Sequence, residues 1–127
     1  MDAIKFPKGY NQVMAYLILD DANGFQTFMQ KIFGAKEKMK MLRDDKTIMH
    51  AEIQIGDVVI MFAQCSNEFK PTPGAFFIYV NDADATFNEA LANGATKVQD
   101  MADQDYGRSG GVKDPNGNTW WITSEKK

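Results

Sequence analysis

Three polar side chains able to do chemistry occur at alternating positions in one short segment, Met49 to Ile55. His50, Glu52 and Gln54 alternate there with apolar residues, which is the pattern of a β-strand with one polar and one apolar face. His50 is the only histidine in the sequence, and a histidine beside a carboxylate can transfer protons near neutral pH or orient a bound molecule. The alternative is an ordinary solvated strand face. His50 and Glu52 alone offer too few donors for a convincing metal site.

A second candidate group lies in a glycine-rich stretch. The sequence predicts an irregular polar loop from Met101 to Gly107, with Tyr106 and Arg108 at its end. Arg108 can hold an anionic group of a ligand through two parallel hydrogen bonds. The alternative is a structural bond from Arg108 to a loop carbonyl, to Asp105 or to Asp114.

Composition narrows the classes of partner. The chain has 127 residues, enough for about one domain with a genuine apolar core. Its 14 basic and 17 acidic residues give a net charge of −3, so it lacks the basic footprint expected for binding nucleic acid or an anionic membrane. No apolar stretch approaches the roughly 20 residues of a membrane span. The N-terminus does not resemble a secretory signal, and we expect a cytoplasmic protein. The single cysteine, Cys65, has no adjacent His or Lys and is expected to be inert.

The first half of the chain predicts one helix among four strands. Asp20 or Asp21 can cap the helix at its start, and Gly34 is its expected C-cap. The turn Gly56-Asp57 joins the alternating strand to the next one as a hairpin. The expected strands are Val13 to Leu19, Met39 to Arg43, Met49 to Ile55 and Val58 to Gln64.

The second half predicts the same succession of elements. Two prolines make the stretch Cys65 to Gly74 a connector, because proline cannot pair in a central strand. Asp82 or Asp84 can cap a helix that ends at Gly94, and the dipeptide Asn116-Gly117 is a strong hairpin signal. The expected strands are Phe76 to Val80, Thr96 to Val98, Gly110 to Lys113 and Asn118 to Thr123.

The two halves form an internal repeat. Asp82 follows Asp21, and Gly94 follows Gly34, at nearly the same separation along the chain. Each half therefore predicts the order β-α-β-β-β. We expect a single domain, 1–127, made of module one (12–64), a linker (65–74) and module two (75–123). Ligand sites tend to form where repeated units meet.

Three segments carry a resemblance to a known superfamily. They are the strand–Asp-Asp-Ala–helix–Gly-Ala entry, the Met49-His50-Ala51-Glu52 strand, and the closing stretch that contains Asp114-Pro115-Asn116-Gly117-Asn118. Together they resemble the vicinal-oxygen-chelate superfamily of glyoxalase I, extradiol dioxygenases and bleomycin-resistance proteins, and most of all its glyoxalase-like, demethylubiquinone-methyltransferase-like subgroup. The resemblance covers nearly the whole chain. It implies an α+β fold in which two βαβββ modules form a cup-shaped, mixed, eight-stranded sheet, and it implies a homodimer.

In metal-using members of that superfamily, four ligands drawn from His, Glu and Gln hold the ion. Mapped position by position, they correspond here to Met14, Met61, Ala75 and Trp121. The repeat supports the mapping, since Ala75 follows Met14, and Trp121 follows Met61, at the separation that relates the two halves. These side chains are not ligands for hard divalent cations. We therefore expect no metal and no cofactor, and we expect the four side chains to converge on a shared hollow.

The resemblance places aromatic and methionine side chains inside the cup, which is the usual lining of an organic-ligand pocket. The alternative is that they pack against one another or against a partner subunit. His50 and Glu52 are the candidate catalytic residues. The candidate ligand-binding residues are Met14, Tyr16, His50, Glu52, Gln54, Met61, Phe77, Tyr79, Tyr106, Arg108 and Trp121.

Three functions remain open from the sequence. The first is metal-independent binding of a small aromatic or amphipathic molecule in the cup, as in the antibiotic-sequestering members of the superfamily. The second is a glyoxalase-like lyase or isomerase, or a dioxygenase-type enzyme, with a displaced site around His50 and Glu52, or else a metal-independent acid/base catalyst. The third is a structural or interaction module whose cup is filled.

Overall fold

The computed structural model describes residues 2–126, which form two compact units. The first unit comprises residues 2–30 and 34–72, and the second comprises residues 31–33 and 73–126. Each βαβββ module contributes one four-stranded mixed sheet and one helix, so the predicted α+β class and element order are confirmed. In the part of the chain described, neither helix combines the length and the apolar character needed to cross a membrane.

The first module has its sheet in the strand order β1-β4-β3-β2, with β1 parallel to β4 and the other pairs antiparallel. Asp21 caps its helix by accepting a hydrogen bond from the backbone N–H of Gly24, and Gly34 ends it in the left-handed conformation at φ 67°. The elements are β1 (Ala15–Leu19), α1 (Ala22–Phe33), β2 (Lys36–Leu42), β3 (Ile48–Ile55) and β4 (Val58–Gln64).

One face of the first sheet is the apolar core of that unit. Leu19, Ile53 and Phe62 are fully buried there, and Phe25 of α1 packs edge-on against Phe62 with ring centroids 5.0 Å apart. Met49 lies on the apolar face predicted for β3 but is 46% exposed.

The second module repeats the topology, with the strand order β5-β8-β7-β6 and β5 parallel to β8. Asp82 caps its helix by accepting from the backbone N–H of Ala85, and the helix ends at Ala92, just before Asn93 and the positive-φ Gly94. The elements are β5 (Ala75–Tyr79), α2 (Ala83–Ala92), β6 (Thr96–Gln104), β7 (Gly107–Lys113) and β8 (Thr119–Glu125).

The predicted loop from Met101 to Gly107 is wrong. Strand β6 continues to Gln104, and only a two-residue turn separates it from β7. The polar sequence was misleading because β6 is the edge strand of its sheet and most of its side chains are exposed. The glycines of β7 are strand residues required by packing. A Cβ at Gly110 would collide with Met101, and one at Gly111 would collide with the Trp121 ring.

The hairpin between β7 and β8 is organised by one buried carboxylate. Asp114, only 4% exposed, accepts hydrogen bonds from the backbone N–H groups of Asn116 and Asn118, the Asn118 side-chain amide and the Trp120 indole, at 2.9 to 3.0 Å. The Asn118 side chain also accepts from the backbone N–H of Gly74 at 2.8 Å. The Asp-Pro-Asn-Gly-Asn motif therefore fixes the conformation of this hairpin and attaches it to the backbone at Gly74.

We expect Asp114→Asn to lower the free energy of unfolding by about 2–4 kcal/mol, because an amide in place of the carboxylate leaves buried donors without an acceptor. Urea unfolding followed by circular dichroism measures the loss. Asp105→Asn, in the exposed β6–β7 turn, is the matched control and should change stability little. Equal stability of the two variants would contradict this role for Asp114.

Candidate functional site

Four side chains of the first unit form a continuous hydrogen-bonded chain on the polar face of β3. Tyr16 Oη lies 3.0 Å from His50 Nδ1, and His50 Nε2 lies 2.7 Å from Glu52 Oε2. The Tyr10 hydroxyl donates to the other carboxylate oxygen, Glu52 Oε1, at 2.7 Å. The structure thus brings the sequence-predicted residues Tyr16, His50 and Glu52 into direct contact.

Strand register explains why these side chains meet. His50 and Glu52 are two residues apart on β3 and therefore point to the same face. Tyr16 pairs with Met61 across β1 and β4, and Met61 pairs with Glu52 across β4 and β3. Directly opposed residues share a face of a sheet, so Met61 lies between Tyr16 and Glu52.

Tyr10 reaches the sheet from the N-terminal arm, which a neighbouring side chain anchors. Asn11 donates to the Asp57 carbonyl at 3.1 Å and accepts from the Val59 N–H at 3.0 Å, which attaches the arm to the β3–β4 hairpin. The Lys38 ammonium lies 4.7 Å from the centre of the Tyr10 ring. No sequence pattern indicates this contribution, because the arm has no periodicity and Tyr10 is 42 residues away from its partner Glu52.

The protonation of Glu52 determines how the chain of hydrogen bonds is polarised. Burial by itself raises the pKa of Glu52, but the bonds from His50 and Tyr10 and the charge of Lys38 outweigh it and leave that pKa below its ordinary value. The hydrogen bond to Glu52, and then burial, raise the pKa of Tyr10, which therefore remains a donor. An ionised carboxylate only accepts, so His50 Nε2 donates to Glu52, and His50 Nδ1 is the nitrogen that faces the Tyr16 hydroxyl.

A cleft of about 570 Å³ opens beside Tyr16 within the same unit. The connector after β4 forms one side of it, through a turn in which Phe69 and Ser66 exchange hydrogen bonds of 2.9 and 3.0 Å. Its lining is mainly apolar, with two opposite charges, and includes Tyr16, Ile18, Ala63, Phe69, Arg43 and Glu68. Arg43 and Phe69 were not predicted as site residues. Arg43 was expected at the end of a strand and instead directly follows β2, and Phe69 lies in the connector, which carries no strand pattern.

Met14, Gln54 and Cys65 of the first unit lie outside this hydrogen-bonded chain. Met14 directly precedes β1 and is half-buried. Gln54 donates to the Gly56 carbonyl at 3.0 Å, so its amide supports its own hairpin turn. The Cys65 thiol is half-buried beside the Asp20 carboxylate, 3.8 Å away.

In the second unit, three predicted residues form an exposed aromatic group. The Phe77 ring centre lies 5.4 Å from that of Tyr79 and 5.8 Å from that of Tyr106, and each side chain is at least half exposed. Trp121 pairs with Phe77 across β8 and β5 and lies over the glycine at position 111. Ala75 is exposed at the start of β5.

Arg108 is a residue of β7 and not of a loop, which corrects its predicted location. Its guanidinium binds Asp84 through two hydrogen bonds of 3.0 and 3.1 Å and lies 3.5 Å from Asp103. The predicted structural partners Asp105 and Asp114 were therefore wrong. The hydrogen bond from Arg108 keeps the pKa of Asp84 below its usual value. An anionic ligand would have to displace Asp84 to reach this guanidinium.

Metal-binding side chains do not gather at one place in the described part of the chain. Among residues 2–126, no cluster of three or more His, Cys, Asp or Glu side chains is arranged to hold an ion. The four positions mapped from the superfamily's ligands divide into Met14 and Met61 in the first unit and Ala75 and Trp121 in the second. Thioether, methyl and indole groups do not fit a hard divalent cation.

The sequence is similar to a known family and to bacterial relatives. The family model "Glyoxalase/Bleomycin resistance protein/Dioxygenase superfamily" matches residues 9–122. An uncharacterized protein of Mycobacterium bovis is 32% identical over 119 residues, covering 84% of this chain and 78% of the relative. An uncharacterized protein of Mycobacterium tuberculosis has the same identity over 119 residues and covers 84% of this chain and 70% of its own length.

Solved structures agree on the fold. The putative 3-demethylubiquinone-9 3-methyltransferase, PhnB protein, of Bacillus cereus superposes with a TM-score of 0.73 at 15% identity, covering 90% of this chain and 99% of that one. TioX from Micromonospora gives 0.72 at 22% identity, covering 91% and 98%. A glyoxalase/bleomycin resistance protein/dioxygenase family enzyme from Burkholderia phytofirmans gives 0.70 at 20% identity, covering 88% and 96%.

We expect Glu52→Gln to lower the free energy of unfolding at neutral pH by about 1–3 kcal/mol, because two charge-assisted hydrogen bonds are weakened. The folded-state pKa of Glu52 lies below its ordinary value of 4.5. Its stabilisation is therefore complete above pH 4.5 and is lost as the pH falls through the lowered folded pKa. Urea unfolding at several pH values should show the difference between variant and wild type shrinking below pH 4.5.

Glu89→Gln, on the exposed face of α2, is the control for the loss of one surface carboxylate. It should leave stability nearly unchanged at every pH tested. A difference between Glu52→Gln and wild type that stays constant down to strongly acidic pH would contradict the lowered pKa of Glu52.

Proposed function

Because the chain belongs to the glyoxalase/bleomycin resistance protein/dioxygenase superfamily, we propose that it binds a small aromatic or amphipathic organic molecule without using a metal ion. We place the molecule on the face of the first sheet that carries Tyr16 and Met61, in the cleft beside Tyr16. The binding is of the sequestering kind expected from the resemblance to bleomycin-resistance proteins.

The cleft is the observation that carries the proposal. Its volume of about 570 Å³ lies within the range of roughly 300–1,000 Å³ typical of small-molecule sites. Ile18, Ala63 and Phe69 provide apolar surface for an aromatic or aliphatic part of the ligand. The Tyr16 hydroxyl and the charged side chains of Arg43 and Glu68 provide the few polar groups that orient a ligand.

The donor chemistry of the mapped positions supports binding without a metal. The first unit offers the thioethers of Met14 and Met61 where metal-using members of the superfamily would offer His, Glu or Gln. Methionine is soft and adaptable, and it packs well against aromatic rings. These positions therefore suit an organic ligand better than a hard cation.

Homodimer formation and a cytoplasmic location are also part of the proposal, by resemblance and from the sequence respectively. Sedimentation at micromolar concentration tests the first of these expectations. A monomer at that concentration would contradict it.

We expect an amphipathic aromatic compound found in a thermal-shift screen to bind with the same affinity in the presence of a chelator. Phe69→Ala should weaken its binding about 3- to 10-fold, since roughly 1 kcal/mol of apolar contact is lost. Titration calorimetry measures both effects. Phe6→Ala is the matched control, because Phe6 is similarly exposed in the same unit but does not line the cleft.

Two outcomes would contradict the proposal. One is stabilisation by divalent metal alone, with no response to any organic compound. The other is binding that Phe69→Ala and Phe6→Ala weaken equally.

A further inference from the structure

We infer that the first unit also carries a proton-transfer site, in which Tyr16 is the catalytic residue, His50 relays its proton and Glu52 is the positioning residue. The substrate class is an aryl-substituted carbonyl compound with a C–H bond next to the carbonyl, which the site interconverts between keto and enol forms. The inference rests on the proposed function, because the substrate must occupy the same cleft.

The order of the three groups along the hydrogen-bonded chain supports proton transfer. A carboxylate, an imidazole and a hydroxyl stand in series, joined by contacts of 2.7 and 3.0 Å. This is the arrangement in which a base oriented by a third group activates a hydroxyl. The Tyr10 hydroxyl donates to the second oxygen of Glu52 and so holds in place the carboxylate to which His50 is bonded.

Exposure decides which end of the series meets a substrate. Tyr16 is 49% exposed, whereas the side chains of His50 and Glu52 are 22% and 5% exposed. Tyr16 also lines the cleft, and neither His50 nor Glu52 does. A bound molecule therefore contacts the phenol, and the other two groups act through it.

The substrate, Tyr16 and His50 donate and accept every proton that moves in the reaction. The C–H bond of the substrate breaks, and its electron pair becomes the C=C bond of an enolate. The proton binds Tyr16 Oη, while the original Tyr16 proton moves to His50 Nδ1 and leaves an imidazolium beside the Glu52 carboxylate. Tyr16 then protonates the enolate oxygen and recovers its proton from His50. Nothing is oxidised or reduced, and no co-reactant is consumed.

The cleft lining indicates the substrate class. Ile18, Ala63 and Phe69 form an apolar surface suited to an aryl group. Conjugation with an aryl group stabilises an enol, which favours a substrate of this kind for a reaction that moves only protons. Arg43 lines the same cleft and can pair with a carboxylate on the substrate, while Glu68 disfavours a second negative charge.

The experiment uses phenylpyruvate as the probe. Proton NMR in deuterated buffer follows exchange of its methylene protons, and titration calorimetry measures its binding to the same protein. The wild-type chain should accelerate exchange over buffer. Tyr16→Phe and His50→Gln should each lower kcat for exchange about 100-fold or more, with little change in the dissociation constant. Phe6→Ala should behave as wild type.

The positioning role of Glu52 has its own readout. Nitrogen-15 NMR of the wild type should show His50 protonated on Nε2, and Glu52→Gln should shift the tautomer towards Nδ1 while lowering kcat more than it changes KM. An unchanged tautomer in that variant would overturn this role.

The outcomes separate the inference from the proposed function. Exchange no faster than in buffer, or unaffected by Tyr16→Phe, overturns the inference. If phenylpyruvate binds but its protons do not exchange faster than in buffer, the proton-transfer site is wrong and the proposed ligand binding is unaffected. If the chain binds neither phenylpyruvate nor any compound of the amphipathic aromatic screen, both fail.

Discussion

The buried carboxylate of Glu52 is the constraint on which the candidate site depends. A buried anion is costly unless donors surround it, and here His50 and Tyr10 supply one hydrogen bond to each oxygen. Once Glu52 is ionised, the proton on His50 Nε2 follows, and the remaining nitrogen faces Tyr16. One carboxylate thereby orients an imidazole and a phenol, and it ties the N-terminal arm to the first sheet.

The second unit contains a buried carboxylate of a different kind. The donors to Asp114 are two backbone N–H groups, one amide and one indole. None of these groups titrates near neutral pH, so the network fixes a turn and has no proton to pass on. The donors to Glu52, by contrast, are ionisable side chains, and the imidazole leads through Tyr16 towards a cleft. Both modules therefore share one topology, while the carboxylate held by ionisable donors, Glu52, lies in the first.

Several elements followed directly from local sequence rules. Asp21 begins α1 because its carboxylate accepts a hydrogen bond from a backbone N–H that has no partner within the helix. Gly34 ends it because glycine adopts the left-handed backbone conformation with little steric cost. The alternation in β3 correctly placed His50 and Glu52 on one face. The rules failed at β6, where an exposed edge strand has a polar sequence that resembles a loop. They failed again at Arg108, whose partner Asp84 lies 24 residues away on α2.

The sequence by itself determined the superfamily and the βαβββ repeat, because these depend on local pattern and residue type. Only the tertiary structure decided that Tyr16, His50, Glu52 and Tyr10 form one hydrogen-bonded series beside a cleft. Those contacts join residues 34 and 42 positions apart. Strand register and the path of the N-terminal arm bring them together, and neither leaves a signal in the residues between them.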